Sequence, residues 1–89
     1  MEKLVQMTDD MLVSLYIGGN NLAFDVLLNR HKDRLYHYIY FIVRTKEVAE
    51  DIFQETFVKA IMRLQEGRYQ PDGKFGAWIT RIAHNLVID

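Results

Sequence analysis

Three histidines are the first side chains in this sequence that suggest chemistry: His31, His37 and His84. None of them forms a His-x-x-x-His or Glu-x-x-His pair, the patterns that place two metal ligands on one helix face. His31 falls on an apolar helix face, where we expect a hydrogen-bonded, partly buried ring. The sequence also has no cysteine, no glycine-rich phosphate loop and no serine in a nucleophile elbow. These patterns argue against a metal site, a cofactor and an enzyme.

A polar stripe lies on the segment DIFQETFVKA, residues 51–60. At 3.6 residues per helical turn, four of its side chains lie side by side next to the apolar face: Asp51, Gln54, Glu55 and Val58. Met62 continues the stripe. Such a stripe is either an ordinary solvated face or a surface that docks on a basic partner helix. Periodicity alone leaves both interpretations open.

A further set of candidates surrounds the segment QEGRYQPDG, residues 65–73, whose glycines and proline predict a loop. Tyr69 lies in this polar segment, where its ring has no evident packing role, so we expect it to be exposed. An exposed ring is a platform for an unstacked base. On the following helix, Arg81 and Asn85 share a face away from the apolar seam, and asparagine is a residue type that reads base edges. Trp78 we interpret as core.

Four amphipathic helices are predicted to position these side chains, in a compact all-α bundle. Each begins at a residue whose side chain can accept a hydrogen bond from the first turn: Thr8, Asn20 or Asn21, Thr45 and Asp72. The first three are predicted to end at Gly18-Gly19, near Arg44 and near Gln65. Residues 1–7 are expected to be a loose or weakly helical lead-in.

The predicted core follows from the apolar seam of each helix. The first seam comprises Met11, Leu12, Leu15 and Tyr16, and the second comprises Ala23, Phe24, Leu27, Leu28, His31, Leu35, Tyr38, Ile39 and Ile42. The third comprises Val48 or Ala49, Ile52, Phe53, Thr56, Phe57, Ala60, Ile61 and Leu64, and the fourth Phe75, Trp78, Ile79, Ile82, Ala83, Leu86 and Val87. The fourth seam is still in register near Asp89, so we expect the chain to be part of a longer protein.

Composition limits the classes of protein further. The 89 residues suffice for one domain, 1–89, and a hydrophobic fraction of 49% favours a folded chain. The net charge is −1, from 11 basic and 12 acidic side chains, so electrostatics alone would not hold nucleic acid. No apolar run approaches the roughly 20 residues of a membrane span, and no secretory signal pattern occurs. We therefore expect no membrane contact and a cytoplasmic location.

The order of these segments resembles region 2 of a bacterial sigma factor of the extracytoplasmic-function (ECF) group. The resemblance is carried by DIFQETFVKAIMRL, the loop, and FGAWITRIAHNLVID, and it extends from Thr8 to Asp89. The segment MLVSLYIGGNNLAFDVLLNRHKDRLYHYIY is similar to the family's first helical pair. Two motifs are fairly specific: Asp-x-x-Gln-Glu-x-Phe, and Trp-Ile-x-x-Ile-Ala-x-Asn after the loop.

The resemblance implies a role in transcription initiation. The family's Asp-x-x-Gln-Glu-x-Phe helix docks on the coiled coil of the RNA polymerase β′ subunit. The resemblance therefore assigns the stripe to polymerase binding, with Phe57 inward as core. Core RNA polymerase, promoter DNA and an anti-sigma factor are the implied partners, and no cofactor is implied.

The resemblance also implies a site for single-stranded promoter DNA. The family's loop before the last helix captures a flipped base from the non-template strand of the −10 element. Here the matching loop runs from Gly67 to Lys74, with Tyr69 as the aromatic wall and Lys74 among the DNA contacts. Asn85 is expected beside the base, and Arg81 along the backbone.

Two further expectations concern binding to duplex DNA and an alternative function. Family members continue with a basic stretch and a second domain that reads the −35 element, so we expect these 89 residues alone to bind duplex DNA poorly. The alternative function is a helical protein-interaction module that uses the same stripe and never contacts nucleic acid.

Overall fold

The computed structural model describes residues 2–88. Within this range the chain forms five helices and no strand: α1 (Glu2–Val5), α2 (Asp9–Ile17), α3 (Asn21–Val43), α4 (Lys46–Gln65) and α5 (Phe75–Ile88). The predicted all-α fold is confirmed. The four longer helices are those predicted, and α1 is the weakly helical lead-in. The predicted domain limits at Met1 and Asp89 lie outside the described residues.

Two predicted helix starts are confirmed by side-chain caps. The hydroxyl of Thr8 accepts a hydrogen bond from the backbone N–H of Met11 at 3.2 Å. The side-chain oxygen of Asn20 accepts one from the N–H of Leu22 at 3.1 Å. Each bond satisfies a donor that has no partner within its own helix.

Two other predicted caps need correction. Thr45 precedes α4, but its hydroxyl donates to the carbonyl of Val43 at 3.3 Å and makes no cap bond. The carboxylate of Asp72 accepts from the N–H of Lys74 at 3.1 Å, before α5 begins at Phe75. Short polar side chains readily make such turns. Thr45 therefore holds the predicted N-cap position of α4 without a side-chain cap bond, and Asp72 shapes the approach to α5 instead of capping it.

The core forms around α3, which packs against α2, α4 and α5, while α4 also packs against α5. The most deeply buried large side chains come from all four longer helices: Leu12, Leu27, Leu35, Ile39, Leu64, Phe75 and Ile79. Thr56 is fully buried, and its hydroxyl donates to the carbonyl of Ile52 at 2.7 Å. Since a buried hydroxyl without a partner is costly, this bond makes Thr56 compatible with the core.

The structure corrects the predicted seams at their ends. Met11 and Ile42 are exposed, whereas Val13 and Val26 are buried. Along α3 the buried side follows a four-residue spacing through Leu35, Ile39 and Val43, with Val43 half-buried at the turn into α4. On α4 it is Ala49, and not Val48, that enters the core. Which side chains of a helix are buried therefore depends on the position of the neighbouring helices more than on the average helical period.

Residues 2–88 contain neither a membrane-spanning helix nor a cluster of metal ligands. No helix in this range is long and apolar enough to cross a membrane. The same residues contain no group of three or more His, Asp or Glu side chains arranged to hold a metal ion.

Candidate functional site

The stripe on α4 is a continuous exposed surface. Asp51, Gln54 and Glu55 are exposed, and so is Val58, at 51%. The structure thus places all four predicted residues on one side of α4, away from the buried face. Their contacts within the domain are few: Glu55 lies 3.9 Å from Lys59, and both side chains are substantially solvated. The stripe adds little to the stability of the fold, since exposed ion pairs contribute little.

Apolar residues extend this stripe at both ends, Met62 as predicted and Val48 in addition. Val48 and Met62 are 44% and 55% exposed. With Asp51, Glu55 and Val58 they follow an alternating spacing of three and four residues, the spacing of a coiled-coil seam. Val48, which periodicity left as an alternative to Ala49 in the core, therefore lies on the outer face of α4. The stripe therefore has apolar ends, an acidic centre and the geometry that fits another helix.

The prediction that the Tyr69 ring is exposed is wrong. Tyr69 is only 8% exposed. Its ring packs edge-on against Phe75 and Trp78, with centroid distances of 5.6 and 5.0 Å. Its hydroxyl donates a hydrogen bond to the carboxylate of Asp10. The ring therefore belongs to the core, and what remains accessible to a ligand is its rim.

The same Asp10 carboxylate holds the loop at a second point. Its other oxygen accepts a hydrogen bond from the backbone N–H of Gly73 at 2.9 Å. By its position, Asp10 is an acid in the first turn of α2, where a carboxylate is favoured by the helix dipole. No local signal could reveal its second role, because its partners lie 59 and 63 residues further along the chain.

Asp9, the neighbour of Asp10, ties α2 to α3. Its carboxylate lies 3.0 Å from Nη1 of Arg30 and 2.9 Å from Nε2 of His31. The His31 ring in turn packs against Phe75, at a centroid distance of 5.2 Å. His31 is thus the partly buried, hydrogen-bonded histidine that its place on the seam predicted.

The environment of Tyr69 also changes its ionisation. Burial of the phenol raises its pKa above the ordinary value, and the hydrogen bond to Asp10 and the charge of that carboxylate raise it further. The phenol is therefore a neutral hydrogen-bond donor throughout the physiological pH range. The bond to Asp10 depends on that proton.

Beside this loop lies a pocket of about 380 Å³, between the loop and α5. Three of the four residues assigned to DNA line it: Tyr69, Lys74 and Arg81. Trp78 forms part of the apolar wall. Asn85 does not line the pocket; it is exposed on α5, one turn beyond Arg81. An aromatic rim, an indole and three cations, Arg68, Lys74 and Arg81, against the single carboxylate of Asp72, suit a flat, polar ligand attached to an anion.

Comparison with known proteins shows similarity to RNA polymerase sigma factors. Residues 27–89 match the family described as Sigma-70 region 2. The chain is 42% identical over 78 residues to the ECF RNA polymerase sigma factor BldN of Streptomyces coelicolor, covering 88% of this chain and 29% of BldN. It is 35% identical over 71 residues to the ECF RNA polymerase sigma factor SigW of Bacillus subtilis, covering 80% of this chain and 37% of SigW.

A third relative is matched over nearly the whole chain. The RNA polymerase sigma-H factor of Pseudomonas aeruginosa is 34% identical over 84 residues, which is 94% of this chain and 42% of that protein. The chain thus spans less than half the length of each of these relatives. No solved structure gave a significant match. The family match and these relatives show that the chain belongs to the sigma-70 family, as a region 2 domain of the ECF group.

Proposed function

We propose that this domain attaches to core RNA polymerase through α4 and takes a base of the promoter −10 element into the pocket beside the loop. The observation that carries the proposal is that pocket. Three of the four residues that the sequence analysis assigned to DNA lie around one cavity of about 380 Å³. This volume lies within the range of about 300–1,000 Å³ that is usual for sites that enclose small organic ligands.

The stripe on α4 supports the attachment to polymerase. An exposed seam with three- and four-residue spacing packs well against a helix, and the family's partner is the β′ coiled coil. Asp51 and Glu55 give the centre of the seam a negative charge that suits a basic partner helix. Val48, Val58 and Met62, all about half exposed, supply the apolar area.

The pocket supports capture of an unstacked base. Flipping a base costs a few kcal/mol, which stacking against aromatic side chains partly offsets. Trp78 offers such a surface, and the rim of Tyr69 adds apolar contact, while Lys74 and Arg81 can neutralise the phosphates on either side of the base. Asn85, one turn further along α5, is available to read a base edge from outside the pocket.

The charge of the domain supports a division of labour. With a net charge of −1, the chain does not attract duplex DNA as a whole. Polymerase would therefore hold the DNA and perform the chemistry, while this domain selects and traps the base. This role requires no cofactor and no catalytic residue in this domain. It implies a cytoplasmic location. There an anti-sigma factor can compete with polymerase and DNA for the same surfaces.

The alternative is a protein-interaction module that uses only the stripe, and one experiment separates the two. The natural protein is assembled with core polymerase and assayed for polymerase binding and for transcription from its own promoter. Because Tyr69 is part of the core, Asn85→Ala and Lys74→Gln are the informative variants. Both side chains are exposed, so neither substitution should disturb folding.

We expect both variants to bind polymerase normally and to lose promoter-specific transcription. Asn29→Ala, at an exposed asparagine on α3, is the matched control and should behave as the wild type. Unchanged transcription in both Asn85→Ala and Lys74→Gln would refute base capture and favour the interaction module.

A further inference from the structure

A second groove, of about 500 Å³, runs between α3 and α5. Its polar lining comes from six side chains: His31, Arg34, Tyr38, Thr80, Arg81 and His84. No described Asp or Glu lines it. In a chain with slightly more acidic than basic residues, a groove with two guanidinium groups and no carboxylate is a local concentration of positive charge.

The two arginines of this groove are available to a ligand. Arg34 and Arg81 are exposed, and neither takes part in an ion pair or a side-chain hydrogen bond among residues 2–88. Arg30, by contrast, is bound to Asp9, and Arg68 lies 3.4 Å from Glu66. A guanidinium group with free donors matches a phosphate oxygen pair in a bidentate fashion.

His84 contributes a further polar group. Its Nδ1 lies 2.8 Å from the hydroxyl of Tyr38. When the phenol donates to Nδ1, the neutral imidazole carries its proton on Nε2, which then is a free donor. Thr80 adds a hydroxyl on the α5 side. These are the donor types that contact the phosphates and sugars of nucleic acid.

The groove continues the pocket beside the loop. Ala77 and Arg81 line both cavities. The two cavities therefore adjoin along α5, with Arg81 at their junction. A strand whose base enters the pocket therefore has a positively charged path along α5 for the next part of its backbone.

We propose that the groove between α3 and α5 binds the phosphodiester backbone of the single strand next to the captured base, with Arg34 as its principal contact. This inference rests on the proposed function, because the strand is delivered by base capture in the adjoining pocket. It adds a DNA contact on α3, a helix to which neither motif nor family resemblance assigned a role in binding DNA. Arg81 links the two sites.

The test measures the salt dependence of DNA binding by the natural protein assembled with core polymerase. The probe is a fluorescent single-stranded oligonucleotide with the non-template −10 sequence of a promoter that this holoenzyme transcribes. Each phosphate contact on a single strand contributes about 0.7 to the slope of log affinity against log salt. Arg34→Gln should therefore reduce the slope by about 0.7 and weaken binding about fivefold at about 0.1 M salt.

Two variants control for charge and for folding. Arg34→Lys keeps the charge and should keep most of the slope. Lys32→Gln removes one charge from an exposed position of the same helix that does not line the groove, and it should leave the slope unchanged. Neutral methylphosphonate linkages, introduced one at a time, should identify one phosphate whose replacement weakens binding by the wild type but not by Arg34→Gln.

The outcomes distinguish a failure of the groove proposal from a failure of the proposed function. If the wild-type holoenzyme binds the strand and Arg34→Gln has the same slope, the groove inference is overturned while base capture stands. If the wild-type holoenzyme does not bind the strand at all, both fail. Free inorganic phosphate that displaces the oligonucleotide from the wild type but not from Arg34→Gln would support an anion site in the groove.

Discussion

The hydroxyl of Tyr69 donates a hydrogen bond to the carboxylate of Asp10, 59 residues earlier in the chain. The second oxygen of that carboxylate accepts the N–H of Gly73 at 2.9 Å. One side chain at the start of α2 thus holds both ends of the loop tip. Since this tip borders the proposed base pocket, the shape of the pocket depends on a residue that does not line it.

Loss of the Asp10–Tyr69 bond should destabilise the fold. A hydrogen bond to a charged group contributes about 1.5–3 kcal/mol, and this one is partly buried. We expect Tyr69→Phe to lower the free energy of unfolding by about 1.5 kcal/mol and Asp10→Ala by about 2–3 kcal/mol. Urea unfolding followed by circular dichroism measures both. Tyr40→Phe, at an exposed tyrosine, is the control and should change little.

The double variant tests whether the two residues act through each other. If they do, Asp10→Ala combined with Tyr69→Phe should be less destabilised than the sum of the single variants. Additive losses would mean that the bond is not formed in solution.

The raised pKa of Tyr69 predicts a pH dependence of stability. An unfolded tyrosine loses its proton near pH 10, whereas Tyr69 in the folded chain retains it to higher pH. Below pH 10 the protonated Tyr69 makes its full contribution to the free energy of unfolding, and this contribution is lost as the pH rises through the folded-state pKa. The free energy of unfolding should therefore fall above about pH 10 more steeply in the wild type than in Tyr69→Phe. Parallel pH profiles would contradict this assignment.

Charge reversal on α4 should weaken polymerase binding without affecting the fold. Asp51 is exposed and makes no ion pair within residues 2–88. Asp51→Lys should therefore leave the melting temperature unchanged and raise the Kd for core polymerase about 30-fold, or about 2 kcal/mol. Asp25→Lys makes the same charge change at an exposed position on α3 and serves as the control. Equal affinities of the two variants would show that the stripe is ordinary surface.

Replacement of Gly73 should be unfavourable because of its backbone conformation, and not because of steric contacts. Its φ is +78°, a left-handed conformation, and a Cβ there would meet no atom within 4 Å. Gly73→Ala should cost about 1 kcal/mol of stability, because side chains disfavour this conformation. Gly18→Ala is the contrasting variant, since its φ is −75° and a Cβ would make only ordinary contacts. It should be neutral or slightly stabilising.

The parts of the fold that were predictable are those governed by local rules. Thr8 and Asn20 were identifiable as caps because their bonds span only two or three residues. The long seams of α3 and α4 were identifiable because many turns repeat the same pattern. The exposed stripe on α4 followed from the same periodicity, since a helix that buries one face must expose the other.

The unpredicted parts depend on contacts between distant segments. Tyr69 lies in a polar, glycine-flanked segment, and nothing near it in sequence indicates that Asp10, Phe75 and Trp78 will surround it. Val48 and Ala49 were equally acceptable as core until the position of the neighbouring helices was known. In both cases tertiary packing, and not local preference, decided the outcome.

The two bonds to Asp10 have a consequence for the energetics of DNA capture. A mobile loop would lose conformational entropy each time it closed on a base, whereas this loop is ordered already when the protein folds. Between the two tethered positions lie Gln70, Pro71 and Asp72, all exposed. Substitutions at Gln70 and Pro71 would change what the tip presents to a base without breaking either bond to Asp10, whereas Asp72 also accepts the N–H of Lys74. Promoter preference could thus diverge among related domains at little cost in stability.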